Sequence, residues 1–164
     1  MSKSRTLLER AQKQLELAGF GTILIDLASL SADGLLGRRE DRNVKEAVAA
    51  AAAGQVIVAS SPTYRATYTG LLKTFFDLLP QDCWKGKPGV PLLTGGGPSH
   101  QLALDHGFRP LLASLGATVL NGVYGYDAQF KSGPDAALLA QVDAMIEEAI
   151  AMTTKAAQSR EESR

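Results

Sequence analysis

The chain has 164 residues, a length typical of one domain that buries its core without disulfides or a structural metal. Its 17 basic and 17 acidic side chains cancel, and no long run of one sign resembles the positive face that nucleic acid or an anionic membrane requires. The chain has a single cysteine, Cys83, and its charged amino terminus resembles neither a signal peptide nor a membrane span. These features predict a soluble cytoplasmic protein with no metal site.

Helical and strand patterns alternate along the chain. Apolar residues at helical spacing predict a first helix over residues 5–18, and short β-branched runs predict buried strands over residues 22–27 and 55–60, with a helix between them that Gly54 closes. The later patterns predict, in order, a helix at 70–79, a strand at 89–94, a helix at 101–115, a strand region at 117–125 and a helix at 135–154. The polar tail from about residue 154 is predicted to fray.

This alternation predicts an α/β fold in which an open, doubly wound parallel sheet is flanked by helices. Such a domain ordinarily begins with a strand, whereas this chain begins with SKSRT and leads directly into a helix. The first strand is therefore missing from the predicted order.

Ligands of doubly wound sheets bind beyond the carboxyl ends of the strands, which makes three loops candidates. The turn that enters helix one offers hydroxyls, a cation and free backbone N–H groups, which suit a phosphate-sized anion, from Ser2, Ser4, Arg5 and Thr6. Equally, Ser4 could simply cap the helix.

The other two loops follow the strands at 55–60 and 89–94. In the first, Pro62 ends the strand, and residues 63–65 are expected to run along the sheet edge beside a flat ring. In the second, Thr94 precedes three glycines, which put no side chain over the site and allow flat ligands to approach the backbone. A flexible turn would also explain three glycines.

The segments SSPTYRATYTGLLKTFFDLLP, GKPGVPLLTGGGPSHQLALDHGFRPLLASLGA and GVYGYD resemble, in this order, the NADPH-dependent FMN reductase family. They are most similar to the branch that supplies reduced FMN to alkanesulfonate-type monooxygenases. The resemblance implies one flavodoxin-like domain over residues 1–164, an oxidoreductase activity, and FMN with NADPH or NADH as cofactors.

The resemblance also assigns cofactor contacts to three groups of residues. They match the family's phosphate loop, its ribityl and ring contacts, and its loop beside the isoalloxazine, in that order: Ser4, Arg5 and Thr6; Pro62, Thr63, Tyr64 and Arg65; Thr94, Gly95, Gly96 and Gly97. It implies no catalytic acid or base, because hydride transfer between stacked rings needs mainly orientation. His100 and His106 are accordingly interpreted as surface or capping groups.

A break in the helix predicted at 101–115 is expected near His106. Pro110 has no N–H and crowds the carbonyl of His106, and Gly107 weakens the helix at the same place, so a kink or π-bulge is predicted. In the branch that the chain resembles, such a bulge lies at a subunit interface beside the flavin. This resemblance implies that His106 governs flavin release or transfer, while a plain proline kink is the alternative.

Several functions remain open at this point. The leading prediction is an NAD(P)H-dependent FMN reductase that supplies a partner monooxygenase. The alternatives are a quinone, azo-dye or chromate reductase that retains FMN, a flavodoxin-type electron carrier, and a packing module without flavin. The balanced charge argues against a carrier, since carriers that dock on basic partners are normally strongly acidic.

Two expectations concern what lies around the domain. The helix at 70–79 has a broad apolar face, which predicts, with the resemblance, a homodimer or a homotetramer. The missing strand would leave a gap between residues 22–27 and 55–60, so either these strands pair directly or a strand precedes Met1. The second is favoured, and we expect a chain extended by about 10 residues to melt higher and bind FMN more tightly.

Overall fold

The computed structural model describes residues 2–161 and consists of a parallel sheet between two helical layers. Its helices are α1 (Lys3–Leu17), α2 (Ala32–Leu35), α3 (Arg42–Ala53), α4 (Gly70–Phe76), α5 (Arg109–Ala113) and α6 (Ala136–Glu161). Its strands are β1 (Ile57–Pro62), β2 (Pro88–Gly95), β3 (Thr118–Val119) and β4 (Val123–Tyr126). The predicted α/β class is confirmed.

Strand β2 is the centre of the sheet. It pairs in parallel with β1 on one side and with β3 and β4 on the other. The single strand region predicted at 117–125 is thus two short strands. One extra residue separates them relative to β2, and Gly122 adopts φ +76° there, which is typical of a β-bulge.

The two faces of the sheet are covered by different helices. On one face α1 and α6 pack over a cluster that includes Leu7, Val90 and Ile146, all fully buried. On the other, α3, α4 and α5 enclose a cluster around Phe76, Trp84 and the loops before β2. Both faces of β2 are therefore buried, which explains its continuous apolar run.

The strand predicted at 22–27 does not form. Residues 22–26 lie in neither a helix nor a strand and pair with no described strand, and residues 27–29 turn as a 3-10 helix. A strand is defined by the partner that accepts its hydrogen bonds, and the described residues place none beside this segment. Residues 22–27 also do not pair directly with β1, so the alternative of direct pairing, which was not the favoured one, is not found.

Two further expectations are corrected. The apolar side of α4 is already covered within one chain, because Leu72, Phe75 and Phe76 are about 95% buried and only Leu71 is exposed. The breadth of the α4 face is therefore not an argument for assembly.

Helix α6 continues through Glu161 rather than fraying from 154, since Lys, Ala and Gln in its last turns are good helix formers even when exposed.

A bidentate ion pair joins α1 to α6. The Arg10 guanidinium donates to both carboxylate oxygens of Asp143, with an Nε–Oδ1 distance of 2.7 Å, and this hydrogen bonding holds the pKa of Asp143 below its usual value. A depressed pKa means that the pair stabilises the fold at neutral pH and that this contribution is lost as the pH falls below about 4.

We therefore expect Asp143→Asn to lower the melting temperature at pH 7 and to have a smaller effect at pH 3. Thermal melts at both pH values check this. The control is Glu46→Gln, which breaks an exposed ion pair with Arg42 on α3 and should change little. An equal loss at both pH values would show that the charge of Asp143 is not what stabilises the contact.

Candidate active site

Three loops meet at the carboxyl edge of the sheet. The backbone N–H of Thr63, after β1, donates to the carbonyl of Thr94 at the end of β2 over 2.6 Å. The hydroxyl of Ser60 donates to the carbonyl of Ser4 at the start of α1 over 2.8 Å. The structure thus brings together the three groups of residues that the sequence assigned to one ligand.

The loop after β1 turns back on itself. Tyr64 and Thr67 exchange backbone hydrogen bonds of 2.9 and 3.4 Å, and the two residues between them, Arg65 and Ala66, have φ values of +50° and +69°. Left-handed conformations cost a non-glycine residue about 1–2 kcal/mol each. The loop is therefore a strained hairpin turn and does not simply run along the edge of the sheet, as was predicted. Such strain clusters at ligand-binding positions.

Thr63 carries an unsatisfied hydroxyl beside this turn. Its Oγ1 atom is buried and has no hydrogen-bond partner among the described residues, and it is the one buried side-chain polar atom there of which this is true. A buried polar group without a partner costs about 1–3 kcal/mol. A ligand that hydrogen-bonds to Thr63 would remove this cost.

The glycine loop is held in place by a tyrosine. The Tyr124 hydroxyl on β4 donates to the carbonyl of Gly97 over 2.6 Å, and burial, with the nearby charge of Asp127, raises the pKa of this hydroxyl. A side chain at Gly95 would meet this hydroxyl at 2.4 Å, whereas the space above Gly96 and Gly97 is open. The loop therefore presents a bare backbone whose position depends on Tyr124.

Sequence reasoning did not give Tyr124 this function. The residue lies within GVYGYD, where it was interpreted only as part of a strand. An alternation in which Tyr124 and Tyr126 share one face of a strand that ends beside the glycine loop is the signal that could have identified it.

The start of α1 is a capped helix end. Ser2, not Ser4, is the cap: its hydroxyl accepts from the backbone N–H of Arg5, and Thr6 donates to its carbonyl. The Arg5 guanidinium lies 2.8 Å from Glu9 and 2.9 Å from Asp26, and the hydrogen bond to Glu9 raises its pKa. To bind a phosphate, Arg5 would thus have to release the carboxylate of Glu9 or of Asp26.

The predicted break near His106 is a π-helix over Leu104–Phe108. This segment packs against the strained turn: a side chain at Gly107 would lie 2.5 Å from the Thr67 hydroxyl, and the rings of Phe108 and Tyr68 are 5.7 Å apart. The prediction of a π-bulge is confirmed, and His106 is exposed on it.

Neither a metal centre nor a membrane span is present in the described part of the chain. Within residues 2–161, no three His, Cys, Asp or Glu side chains are grouped so that they could hold a metal ion. None of the helices in this range combines the length and apolar character needed to cross a bilayer.

The sequence profile of the NADPH-dependent FMN reductase family matches residues 1–131. The chain is 34% identical over 130 residues to an FMN reductase (NADPH) of Pseudomonas putida, covering 78% of this chain and 66% of that protein. It is also 34% identical to the NADH-dependent FMN reductase SfnF of Pseudomonas fluorescens, covering 77% and 72%. These matches confirm the resemblance and the predicted oxidoreductase class.

Solved structures support the same assignment. The apo form of the NADH:FMN oxidoreductase EMOB is 34% identical with a TM-score of 0.81, covering 94% of this chain and 82% of that one. An archaeal flavodoxin, 13% identical, has a TM-score of 0.60 and shows the fold alone, covering 94% of each chain. The flavodoxin-like fold is confirmed, although the chain spans about two thirds of the length of the Pseudomonas putida relative.

Proposed function

Because the chain belongs to the NADPH-dependent FMN reductase family, we propose that it is an NAD(P)H-dependent FMN reductase with its site at the carboxyl edge of the sheet. The observation that carries the proposal is the junction between the loops after β1 and β2. There the Thr63 hydroxyl has no partner among the described residues, and the Thr63 backbone N–H donates to the Thr94 carbonyl at the start of the bare glycine loop.

The residues present fit FMN. Thr63 offers a buried hydroxyl for the ribityl chain or ring, residues 62–65 supply backbone groups on the strained turn, and Thr94 to Gly97 leave room for a flat ring system. The α1 terminus, with Ser4, Arg5 and Thr6, is the proposed phosphate end. There Arg5 would release Asp26 or Glu9 when it meets the anion.

Bound FMN supplies the ring that accepts hydride from NADPH or NADH. The protein's part is to hold two flat reactants in contact and to exclude water from them, which is why the open space above Gly96 and Gly97 matters. Neither His100 nor His106, both exposed, is assigned a proton in this step.

The test is an anaerobic absorbance titration of the purified protein with FMN, followed by NADPH or NADH. We expect the visible absorbance of oxidised FMN to bleach only when the protein is present. Release of reduced flavin to a monooxygenase is the proposed continuation, and FMN that stays bound through gel filtration would instead indicate a flavin-retaining reductase. Flavin binding without nicotinamide oxidation would contradict the proposal and indicate an electron carrier.

The position of His106 on the π-helix leads to a separate prediction. Since the π-helix contacts the strained turn through Gly107, we expect His106→Ala to change the rate at which reduced flavin leaves by about tenfold, or 1.4 kcal/mol, with little change in hydride transfer. Stopped-flow traces with and without a flavin acceptor separate the two rates. Lys155→Ala, at an exposed position on α6, is the control.

Unchanged flavin affinity, assembly and transfer in His106→Ala would remove any function for the imidazole and leave a plain packing irregularity.

We further propose that the active form is a homodimer or homotetramer in the cytoplasm. The exposed Tyr64, in the loop after β1, and the exposed Leu71, in the first turn of α4, support an interface there, and a single cysteine suits a reducing compartment. Sedimentation of the FMN-loaded protein at micromolar concentration tests the assembly.

A further inference from the structure

Three exposed arginines have no partner in the described part of the chain. The guanidinium groups of Arg38, Arg39 and Arg65 make neither an ion pair nor a hydrogen bond with any described residue. The other arginines whose side chains are described each pair with a carboxylate: Arg5, Arg10, Arg42 and Arg109. Arg65 lies on the strained turn that is already assigned to FMN. Arg38 and Arg39 are therefore two cations that the fold does not use.

The loop that carries Arg38 and Arg39 lies at the carboxyl edge of the sheet. Helix α3 leads directly into the amino end of β1, and its last turn bonds to Trp84 and Lys87, just before β2. With 12 residues the helix is about 18 Å long, close to the length of β1, and Val44 in its first turn is buried against the sheet. Its first turn, and the loop directly before it, therefore lie near the opposite edge, where the strands end.

The other end of this connection is at the same edge. Asp26 accepts a hydrogen bond of 2.9 Å from Arg5 at the start of α1. Residues 27–29 contact α4, which begins directly after the strained turn. The connection from residue 26 to residue 42 thus borders the proposed FMN site, on the side formed by the loop after β1.

Two helix caps fix the backbone on either side of the arginines. Gly37, with φ +67°, ends α2, and the backbone N–H groups of Arg38 and Arg39 both donate to the Asp33 carbonyl, over 2.8 and 3.3 Å. Asp41 then caps the start of α3. The backbone is preorganised while the two side chains are free, which lowers the cost of ordering the loop around a ligand.

No described carboxylate forms an ion pair with either guanidinium. Three carboxylates of the same segment have other partners: Glu40 pairs with Lys45, Glu46 pairs with Arg42, and Asp41 caps α3. An anion would therefore meet two guanidinium groups without displacing a carboxylate, whereas Arg5 would have to release one.

Two adjacent arginines suit a phosphate monoester. A guanidinium forms paired N–H···O bonds with phosphate oxygens, and the dianion of a monoester offers three terminal oxygens to two such groups. NADPH differs from NADH only in carrying such a monoester, on the 2′ position of the adenosine ribose, where arginine is a common partner.

We propose that Arg38 and Arg39 bind the 2′-phosphate of NADPH, so that the protein prefers NADPH to NADH. The proposal rests on the proposed reductase function, and it gives the two residues a part in selecting the substrate and none in hydride transfer. Because both side chains are exposed, salt screens their charge. The KM for NADPH should therefore rise with ionic strength more steeply than the KM for NADH.

Adenosine 2′,5′-bisphosphate tests the site without any redox chemistry. This probe carries the 2′-phosphate and lacks the nicotinamide, and 5′-AMP is the same nucleotide without the 2′-phosphate. Calorimetric titrations into the full chain with FMN present should show at least tenfold tighter binding of the bisphosphate, or about 1.4 kcal/mol. The double variant Arg38→Gln/Arg39→Gln, which changes only exposed side chains, should fold and bind the two nucleotides equally.

Steady-state kinetics with FMN measures the preference itself. In Arg38→Gln/Arg39→Gln the ratio of kcat/KM for NADPH to that for NADH should fall at least tenfold. The fall should come from KM, because a contact far from the reacting atoms is made equally in the ground and transition states.

The matched control is Lys13→Gln/Lys85→Gln. It removes two exposed positive charges away from the carboxyl edge, one in the second half of α1 and one just before β2. The change in net charge is the same, and the NADPH/NADH ratio should stay at the wild-type value.

An unchanged NADPH/NADH ratio in the arginine variant, or equal binding of the bisphosphate and 5′-AMP by the wild type, would overturn the proposal. An equal fall in the lysine variant would show a general effect of net charge and would overturn it as well. Weaker FMN binding with an unchanged ratio would assign the two arginines to the flavin phosphate instead. Binding of the bisphosphate through both arginines, without oxidation of either nicotinamide, would support the phosphate site and contradict the reductase function.

Discussion

The Gly95→Ala variant is expected to fold and to bind FMN at least tenfold more weakly, a loss of about 1.4 kcal/mol or more. The added Cβ would lie 2.4 Å from the Tyr124 hydroxyl and 3.3 Å from a ring nitrogen of His100. Tyr124 would have to move, and its 2.6 Å hydrogen bond to the Gly97 carbonyl would break. Without that bond the bare backbone beside the proposed ring site is no longer held in one position. Titration of FMN fluorescence measures the affinity.

Two further variants separate the effect of losing the Tyr124 hydrogen bond from the effect of the added methyl group. Tyr124→Phe removes the same hydrogen bond without adding an atom at Gly95, so it should also weaken FMN binding while costing about 0.5–1.5 kcal/mol of stability. Gly70→Ala adds the same methyl group at the start of α4, where nothing lies within 4 Å, and should leave FMN affinity unchanged. Wild-type affinity in Gly95→Ala would mean that the glycine loop is not the flavin contact.

The sequence predicts those features that depend on local pattern. Helix α1, the apolar β2 and the meeting of loops at one sheet edge follow from periodicity and from the geometry of parallel strands. The π-helix was predictable for the same reason, because Pro110 and Gly107 act on the backbone within one turn of themselves.

Features that depend on distant partners were missed. Residues 22–27 have the composition of a buried strand, yet a strand requires a neighbouring strand to bond to, and no described strand pairs with them. The coverage of Phe75 and Phe76 depends on Trp84 and other distant residues, which no helical pattern reveals. The turn at Arg65 and Ala66 lacks the Asn-Gly or Asp-Gly pair that normally predicts it, so only the structure shows it.

The Trp84→Ala variant is expected to have the largest effect on stability. Trp84 is 2% exposed, its ring meets Phe76 edge-on at 5.2 Å, and its indole N–H donates to the Ala51 carbonyl over 2.9 Å. The Lys87 ammonium donates to the neighbouring Ala52 carbonyl, so Trp84 and Lys87 together satisfy two carbonyls in the last turn of α3. Removing a buried tryptophan costs about 3–5 kcal/mol, and total stability is about 5–15 kcal/mol. For this length we expect the melting temperature to fall by about 10 °C or more.

Comparison with Trp84→Phe separates the two contributions of this side chain. Phenylalanine keeps an aromatic contact with Phe76 but leaves the Ala51 carbonyl without its donor, so the loss should be smaller, about 1–3 kcal/mol. Leu102→Ala, at a position 64% exposed, is the control and should change stability by about 0.5 kcal/mol or less. A Trp84→Ala melt close to that of the wild type would mean that the surrounding residues relax into the space of the missing ring.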